Sequence, residues 1–99
     1  MTKPLIIEPE AARDITDTYD WYQQQRRGLG DDFALCLEVA LQTIRERPRS
    51  FPKVLRNARR MLIDRFPYRV VFIEHREFIS VHAVIHTSRD PRTWQERLS

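Results

Sequence analysis

Apolar residues recur at helical spacing through the first half of the chain and predict two helices. The first helix is expected from about residue 9 to residue 26, because Pro9 suits a first helical turn, where its missing N–H is not needed. Its apolar face repeats every three or four positions and consists of Ala11, Ala12, Ile15, Tyr19 and Tyr22. Before this helix, the short apolar run of residues 5–7 is a candidate first strand.

The two glycines of the chain, Gly28 and Gly30, separate the first helix from a second one. The second helix is expected to end near Arg47, because Pro48 cannot continue it. Its apolar stripe consists of Phe33, Leu37, Ala40, Leu41 and Ile44, with Cys36 beside it. Two amphipathic helices joined by a short hinge predict an antiparallel helical hairpin.

After Pro52 the pattern changes to short runs rich in β-branched and aromatic residues, which predict strands. These runs cover residues 54–56, 60–64, 68–73 and 78–85. The predicted fold class is therefore α+β: an N-terminal strand, an antiparallel helical hairpin and a C-terminal antiparallel β-meander, with the helices on one face of the sheet. The length of 99 residues predicts one domain, residues 1–99.

Alternation along the last strand divides its side chains between the two faces of the sheet. The side chains expected to face the helices are Ile79, Val81, Ala83 and Ile85, and those expected on the opposite face are Ser80, His82, Val84 and His86. By the same argument, Arg69 on the preceding strand shares that opposite face with His86. A shift of the register by one residue would reverse this assignment. The opposite face is expected to be open and cationic.

Charge is distributed unevenly along the chain, whose formal net charge is +3. Residues 1–47 carry 6 basic and 9 acidic side chains, whereas residues 48–99 carry 11 basic and 5 acidic ones. Of the 17 basic residues, 15 are Arg, whose planar guanidinium fits phosphate or carboxylate groups. The second half therefore favours a polyanionic partner, either nucleic acid or an acidic protein segment. A solvated basic face without a partner is the alternative.

Composition disfavours several other classes of protein. A single cysteine, Cys36, cannot form an intrachain disulfide. The chain contains neither a readable signal peptide nor a run approaching the roughly 20 apolar residues of a membrane span, so we expect a cytoplasmic protein. His82 and His86 would lie about 13 Å apart along one strand, too far to ligate one metal ion. We therefore expect no metal and no other cofactor.

Three segments of the second half resemble the RelE/ParE superfamily of toxins. They are Arg59-Arg60-x-Leu62-x-x-Arg65-Phe66-Pro67-Tyr68-Arg69-Val70-Val71-Phe72, Ile79-x-Val81-x-Ala83-Val84-x-His86 and Arg89-x-Pro91-x-x-Trp94-x-x-Arg97. The N-terminal half also fits, with an early strand and a helix that opens on Pro-Glu-Ala-Ala. The resemblance covers about residues 4–97, and the ParE-like branch is favoured.

The resemblance implies the toxin component of a type II toxin–antitoxin, or plasmid stabilisation, system. It implies a cognate antitoxin encoded by an adjacent gene, and it implies two kinds of target. RelE-like members are metal-independent endoribonucleases that cleave messenger RNA on the ribosome, whereas ParE-like members poison DNA gyrase without cleaving nucleic acid themselves. A toxin-like domain that has lost toxicity and serves only as a protein-binding module is the third possibility.

RNA cleavage would require cations at the phosphate and a group for proton transfer. The matching candidates are Arg69 and Arg89 for the phosphate and His86 for proton transfer. RNA-cleaving relatives often carry a C-terminal Tyr in the site. The comparable residue here is Trp94, whose indole N–H donates a hydrogen bond but cannot act as a base. This difference favours gyrase binding over RNA cleavage.

A wider set of residues is predicted to bind the target or the antitoxin. The set consists of Arg59, Arg60, Arg65, Arg69, Arg89, Arg92 and Trp94. The structural alternative for Arg59, Arg60, Arg65 and Arg69 is edge protection of the sheet, and the alternative for Trp94 is packing under the sheet. For His86 the structural alternative is a hydrogen bond to the following turn. The antitoxin is expected on the open arginine-lined face and on the apolar hairpin.

Overall fold

The computed structural model describes residues 2–98, which form a five-stranded sheet with a helical hairpin on one face. The helices are α1 (Pro9–Gln25), α2 (Leu29–Glu46) and the single-turn α3 (Arg92–Gln95). The strands are β1 (Leu5–Ile7), β2 (Lys53–Leu55), β3 (Ala58–Leu62), β4 (Tyr68–Glu74) and β5 (Ile79–His86). Short 3-10 turns cover Pro48–Ser50 and Glu96–Leu98. The predicted α+β class, the hairpin and the meander are confirmed.

The strands lie in the order β1-β5-β4-β3-β2. β1 runs parallel to β5, with Leu5 opposite Ile79 and Ile7 opposite Val81, and the remaining neighbours are antiparallel. The first strand therefore lies at one edge of the sheet beside the last, and the hairpin carries the chain from β1 to β2 at the opposite edge. Because β1 is short, it covers only the first part of β5.

The hinge of the hairpin depends on both glycines. Gly28 adopts φ 91°, a left-handed conformation that glycine accepts without strain. At Gly30 the helices approach so closely that a Cβ would lie 2.6 Å from the carbonyl oxygen of Tyr19. The side-chain oxygen of Gln23 accepts hydrogen bonds from the N–H groups of Gly28 at 3.0 Å and Gly30 at 2.7 Å. These bonds satisfy main-chain donors at the start of α2, which holds the two helices at a fixed distance.

The face of the sheet under the hairpin carries the main apolar core. Phe33 lies at its centre with no exposed surface, and its ring packs against those of Tyr22, Phe66 and Tyr68. The other buried members are Ala11, Leu37, Ala40, Ile44, Ile63, Val70, Phe72, Ile79, Val81 and Val84. Burial of each large apolar side chain contributes roughly 1.5–3 kcal/mol, so this layer fixes the strands that carry the candidate site.

A β-bulge interrupts β5. Phe72 on β4 pairs with Val81, and the neighbouring Val71 pairs with Ala83, so His82 is the extra residue between the two pairs. An insertion of one residue moves every later side chain of the strand to the other face of the sheet.

The bulge makes part of the predicted face assignment wrong. Ile79 and Val81 face the helices, as expected. The later residues are reversed. Ala83 and Ile85 lie on the face opposite the helical hairpin, which we call the second face, and Val84 and His86 lie on the helix side.

The second face of the sheet is partly covered, where the sequence predicts an open surface. Trp94 in α3 is 2% exposed and packs with Leu98 against this face. The apolar residues beneath and beside them are Ala58, Val71, Ala83, Ile85, Val54, Leu55 and Ile73. The C-terminal segment therefore belongs to the fold, and only the remainder of the second face is open.

A buried ion pair fastens this C-terminal segment to α1. The guanidinium of Arg97 donates two hydrogen bonds to the carboxylate of Asp14, at 2.6 and 3.2 Å, and lies 3.3 Å from Glu10. It also donates to the carbonyl oxygen of His82 at 3.1 Å, while Asp14 accepts the N–H of Val84 at 3.0 Å. The pair thus satisfies the main-chain groups at the bulge, on the edge of β5 that β1 does not reach.

Candidate functional site

Four of the arginines predicted to bind a partner lie at one end of the sheet. The turn between β3 and β4 meets the turn after β5 there, since the N–H of Thr87 donates to the carbonyl oxygen of Pro67 at 2.8 Å. The cationic end is our name for the side chains that these turns and the adjoining strands β3 and β4 carry, namely Arg60, Arg65, Arg69 and Arg89. It adjoins the part of the second face that Trp94 covers, because Val71 and Ile85, the register partners of Arg60 and Arg69, belong to the same cluster as Trp94.

Arg69 is the most constrained member of the cationic end. It lies on the second face, half-buried, between Leu62 on β3 and Ile85 on β5. Its Nη2 donates to the carbonyl oxygen of Thr87 over a long 3.4 Å. Its Nε is buried and has no hydrogen-bond partner among residues 2–98. An unmet donor of a charged group is costly.

Arg60 lies diagonally across the ladder from Arg69. The register pairs Arg60 with Val71 and Leu62 with Arg69, and such diagonal neighbours are about 7–8 Å apart. Leu62, on the same face between them, is 53% exposed. Two cations next to an exposed apolar side chain suit a partner that carries both anionic and apolar groups.

Arg65 and Arg89 extend the cationic end into solvent. Arg65 has φ 70° in the turn after β3, and its guanidinium lies 5.9 Å from the centre of the Phe66 ring. Arg89 is exposed, and its N–H closes the turn after β5 by donating to the carbonyl oxygen of His86 at 3.0 Å. Both residues are exposed, so a partner can reach them.

The structure separates His86 from Arg69, and the prediction that they share a face is wrong. His86 pairs with Tyr68 at the end of the ladder, on the helix side, and their rings meet edge to face at 5.2 Å. The N–H of Ser88 donates to His86 Nδ1 at 3.0 Å, so the neutral ring carries its proton on Nε2. His86 therefore fixes the turn after its strand, which was the structural alternative.

Three other predicted binding residues do not belong to the cationic end, and each makes contacts within the chain. Arg59 faces the helix side and donates to the carbonyl oxygen of Phe51 at 2.7 Å. Arg92 is exposed but paired with Asp90, to which it donates at 2.7 and 3.0 Å. Trp94 is buried in the second core, and the packing alternative holds for it.

The arrangement supports anion binding more readily than proton transfer. Arg60 and Arg69 lie on the second face, while the imidazole of His86, which was expected to accompany Arg69, lies on the helix side. In the described part of the chain, no cluster of three or more His, Cys, Asp or Glu side chains could hold a metal ion. None of the helices within residues 2–98 is both long and apolar enough to cross a membrane.

A second polar cluster that sequence reasoning missed lies at the other end of β5. The hydroxyl of buried Ser80 lies 2.8 Å from His75 Nε2 and 2.7 Å from His82 Nε2. Burial lowers the pKa of His82. Ser80 is almost fully buried, so this relay orders the hairpin loop and the bulge and offers no accessible nucleophile.

A groove runs between α2 and the end of β3, bordered at one end by Arg65 and at the other by Arg47. Two adjoining cavities of about 180 and 240 Å³ form it and share three lining residues. The α2–β3 groove is the name we use for this surface, whose lining includes Leu35, Cys36, Val39, Thr43, Met61, Leu62 and Asp64. Leu62 borders both the groove and the cationic end, so the two surfaces adjoin.

Two apolar residues of α2 that lie outside its core-facing stripe indicate the groove in the sequence. Leu35 and Val39 are one turn apart on α2, outside the stripe that packs on the sheet. The helix is thus apolar over more of its circumference than the core requires, which indicates a second buried or partner-bound side. The ion pair of Asp14 and Arg97 leaves no such signal, since 83 positions separate its members.

Comparison with known protein families places these features in context. Residues 5–91 match the family described as the ParE toxin of the type II toxin-antitoxin system, parDE. The matched segment includes the hairpin, all five strands of the described sheet and the cationic end. None of the curated protein sequences compared with the chain matches it.

Among solved structures, the fold is similar to a chain of the chromosomal ParDE TA system from P. aeruginosa. The TM-score is 0.76, with 86% of this chain and 96% of that chain covered. Only 15% of the aligned residues are identical, so this likeness concerns the fold.

Proposed function

Because the chain belongs to the ParE toxin family of type II toxin–antitoxin systems, we propose that it inhibits bacterial growth by binding DNA gyrase. A cognate antitoxin, encoded by the adjacent gene, would neutralise it. The proposal treats residues 1–99 as one toxin domain that acts in the cytoplasm.

The observation that carries the choice of gyrase over messenger RNA is the separation of Arg69 from His86. RNA cleavage needs phosphate-binding cations and a proton-transfer group around one reacting phosphate. Here the cations lie on the second face, and the imidazole lies on the helix side with Nδ1 occupied by Ser88. A toxin that binds its target without cleaving nucleic acid does not need that juxtaposition.

In this proposal the cationic end contacts the target. Arg69 contributes the charge of its half-buried guanidinium, and Arg60 contributes a second cation beside the exposed Leu62. Arg65 and Arg89 contribute exposed charge, which raises the rate of encounter with an anionic partner more than the final affinity. The contact should therefore weaken as the salt concentration rises.

The first test is a DNA supercoiling assay with purified gyrase. The wild-type chain should inhibit supercoiling, and Arg60→Ala combined with Arg89→Ala should raise the half-inhibitory concentration about 10-fold. Arg76→Ala provides a matched control, because Arg76 is an exposed arginine in the loop at the opposite end of β4 and β5. Full gyrase activity at excess wild-type protein would refute the gyrase proposal.

Two further assays separate the alternatives that the family leaves open. A RelE-like endoribonuclease would cleave messenger RNA on ribosomes in the presence of EDTA, and Arg69→Ala would abolish that cleavage. A protein-binding module without toxicity would cause no growth arrest when its synthesis is induced. We expect growth arrest without RNA cleavage.

A further inference from the structure

Two histidines from different segments of the chain meet near the start of β5. The sequence argument against a metal site concerned His82 and His86, which one strand keeps far apart. The loop after β4 and the bulge in β5 instead bring His75 to His82, with the hydroxyl of Ser80 between their rings. This pair of imidazoles has a geometry that the sequence argument did not consider.

Both rings direct the same nitrogen at one point. Ser80 Oγ lies 2.8 Å from Nε2 of His75 and 2.7 Å from Nε2 of His82. The two nitrogens are therefore at most 5.5 Å apart, which is the sum of these distances. A metal ion with bonds of about 2.1 Å to both nitrogens needs them within about 4.2 Å of each other. The rings must then approach each other by roughly 1.3 Å at most, which small side-chain rotations provide.

Contacts within the chain hold both histidines in place. Lys3 Nζ donates to the carbonyl oxygen of His75 at 2.6 Å, and the ring of His75 stacks on that of Phe78 with the centres 4.2 Å apart. His82 is the extra residue of the bulge, and its carbonyl oxygen accepts a hydrogen bond from Arg97 at 3.1 Å. Because both positions are already ordered, an ion that binds there loses little affinity to ordering of the chain.

The protonation of the pair is compatible with a bound cation. Ser80 has one hydroxyl proton and can donate it to only one of the two nitrogens, so the other ring donates its own N–H. Both Nε2 atoms become free for a metal ion when that ring moves its proton to Nδ1, which changes the tautomer and not the charge. Burial lowers the pKa of His82, which keeps this ring neutral near pH 7.

Neighbouring carboxylates favour a cation at this position. The N–H of Glu8 donates to the carbonyl oxygen of Val81 at 2.9 Å, so Glu8 lies beside His82 at the end of β1. The negative charges of Glu8 and Glu10 both act on the ring of His82. Imidazole nitrogen suits late first-row divalent ions such as Zn²⁺ and Cu²⁺, whereas Mg²⁺ and Ca²⁺ prefer oxygen ligands.

We propose that His75 and His82 bind a late first-row divalent metal ion, Zn²⁺ or Cu²⁺, through their Nε2 atoms, with water completing the coordination. The ion would take the place of the hydrogen bonds that the two rings now make to Ser80. It would fasten the loop after β4 to the bulge and, through the main chain of His82, to the C-terminal segment that Arg97 anchors. The proposal goes beyond the proposed function and does not depend on it.

Proton NMR of the wild-type protein tests the pair without any substitution. The chain has three histidines, so three sets of imidazole signals are expected. Zn²⁺ should shift the signals of His75 and His82 and leave those of His86 in place, because His86 lies at the opposite end of β5. Unshifted signals of His75 and His82 at millimolar Zn²⁺ would overturn the proposal.

Calorimetric titration with Zn²⁺ at neutral pH measures the contribution of each ring. His75→Gln and His82→Gln should each weaken binding at least about 10-fold, since even the outer partners of metal ligands contribute this much. His86→Gln is the matched control and should change the affinity less than about 2-fold. Melting temperatures without metal would confirm that each variant folds. Equal affinities of the wild-type protein and all three variants would place the ion elsewhere and contradict the proposal.

The role of the neighbouring charge can be separated from that of the ligands. Glu8→Gln should weaken Zn²⁺ binding only about 2- to 3-fold, because the carboxylate acts through its charge and not as a ligand. This effect should shrink as the salt concentration rises, whereas the effect of His75→Gln should not. A loss in Glu8→Gln as large as that in His75→Gln would contradict a site built on two imidazoles.

Two further measurements report on the bound state. The EPR spectrum of Cu²⁺ should show coupling to two imidazole nitrogens in the wild-type protein and to one in His75→Gln. Saturating Zn²⁺ should raise the melting temperature of the wild-type protein by about 3 °C or more, because an ion that binds only the folded state stabilises it. In His82→Gln the rise should be less than about 1 °C. Coupling to a single nitrogen in the wild-type protein, or an equal rise in both proteins, would overturn the proposal.

Discussion

The two faces of the sheet are built in different ways. The helix face is a continuous apolar layer centred on Phe33 and closed by the hairpin. The second face has two parts. Trp94 covers a small apolar cluster, and Arg60, Leu62 and Arg69 lie beside it. The first face holds the chain together, and the second combines a smaller core with a surface suited to a partner.

The distribution of unsatisfied polar groups follows the same division. In the described part of the chain, two buried side-chain N–H groups have no hydrogen-bond partner, Arg69 Nε and Trp94 Nε1. Both lie on the second face. Because buried donors are nearly always satisfied in stable proteins, the second face is energetically incomplete in the isolated chain. The main apolar core thus lies on the helix face, and both unmatched donors lie on the second face.

The largest expected effect is on the helix face. Phe33→Ala should lower the free energy of unfolding by about 3–5 kcal/mol, because it removes a fully buried ring and leaves a cavity. Chemical denaturation followed by circular dichroism measures this loss. A loss below about 1 kcal/mol would mean that the helix face does not dominate stability.

The next largest effect concerns the ion pair that fastens the C-terminal segment to α1. Arg97→Ala should cost about 2 kcal/mol, less than a fully buried pair, because it leaves the mostly buried carboxylate of Asp14 without its cation. A double-mutant cycle with Asp14→Ala should give a coupling energy above about 1 kcal/mol. Additive effects of the two substitutions would show that the ion pair does not fasten the C-terminal segment.

A smaller effect is expected from pH at the bulge. Burial lowers the pKa of His82 from 6.5, assisted by His75 and opposed by Glu8 and Glu10. The unfolded chain therefore takes up a proton near pH 6.5 that the folded protein does not. The stability of the folded state should be complete above this pH and should fall as the pH drops from 6.5 towards the lowered value. Denaturation between pH 7.5 and pH 5.5 measures the slope.

His82→Gln is the control for this slope, since it retains a polar side chain without a titrating ring. The slope above pH 5 should become flatter. Glu74 does not add to this slope. The hydrogen bond from Lys3 lowers the pKa of Glu74 below 4.5, so the stability that Glu74 contributes is lost only in more acidic solution. An identical slope in His82→Gln would assign the pH dependence to another group.

The smallest effect is expected from Trp94→Phe. The indole N–H has no hydrogen-bond partner among residues 2–98, so its removal offsets part of the cost of the smaller ring. The free energy of unfolding should change by less than about 1.5 kcal/mol. A larger loss would show that the indole N–H is satisfied in solution and that the second face is more complete than the structure indicates.

Sequence periodicity predicts the helix face well. The stripe through Phe33, Leu37 and Ile44 repeats at helical spacing, and Gly28 and Pro48 mark the ends of α2. These signals are local, so each can be recognised without knowledge of the rest of the fold. The strands of the meander follow for the same reason.

The second face could not be predicted in the same way. A single extra residue at His82 changes the face of every later residue of β5, and nothing in its composition distinguishes it from its neighbours. The burial of Trp94 and the pairing of Arg97 with Asp14 depend on contacts between distant parts of the chain. The candidate site was therefore predicted by residue type at Arg60, Arg65, Arg69 and Arg89, but the face of His86 was not.

The central claim is that the cationic end binds gyrase while the helix face only supports it. A titration of gyrase supercoiling with wild-type protein, Arg69→Ala and Arg76→Ala, all of matched melting temperature, tests this most directly. The account predicts inhibition by wild type and Arg76→Ala at similar concentrations, with Arg69→Ala at least about 10-fold weaker. Equal inhibition by all three proteins would contradict it, because the target would then contact some other surface.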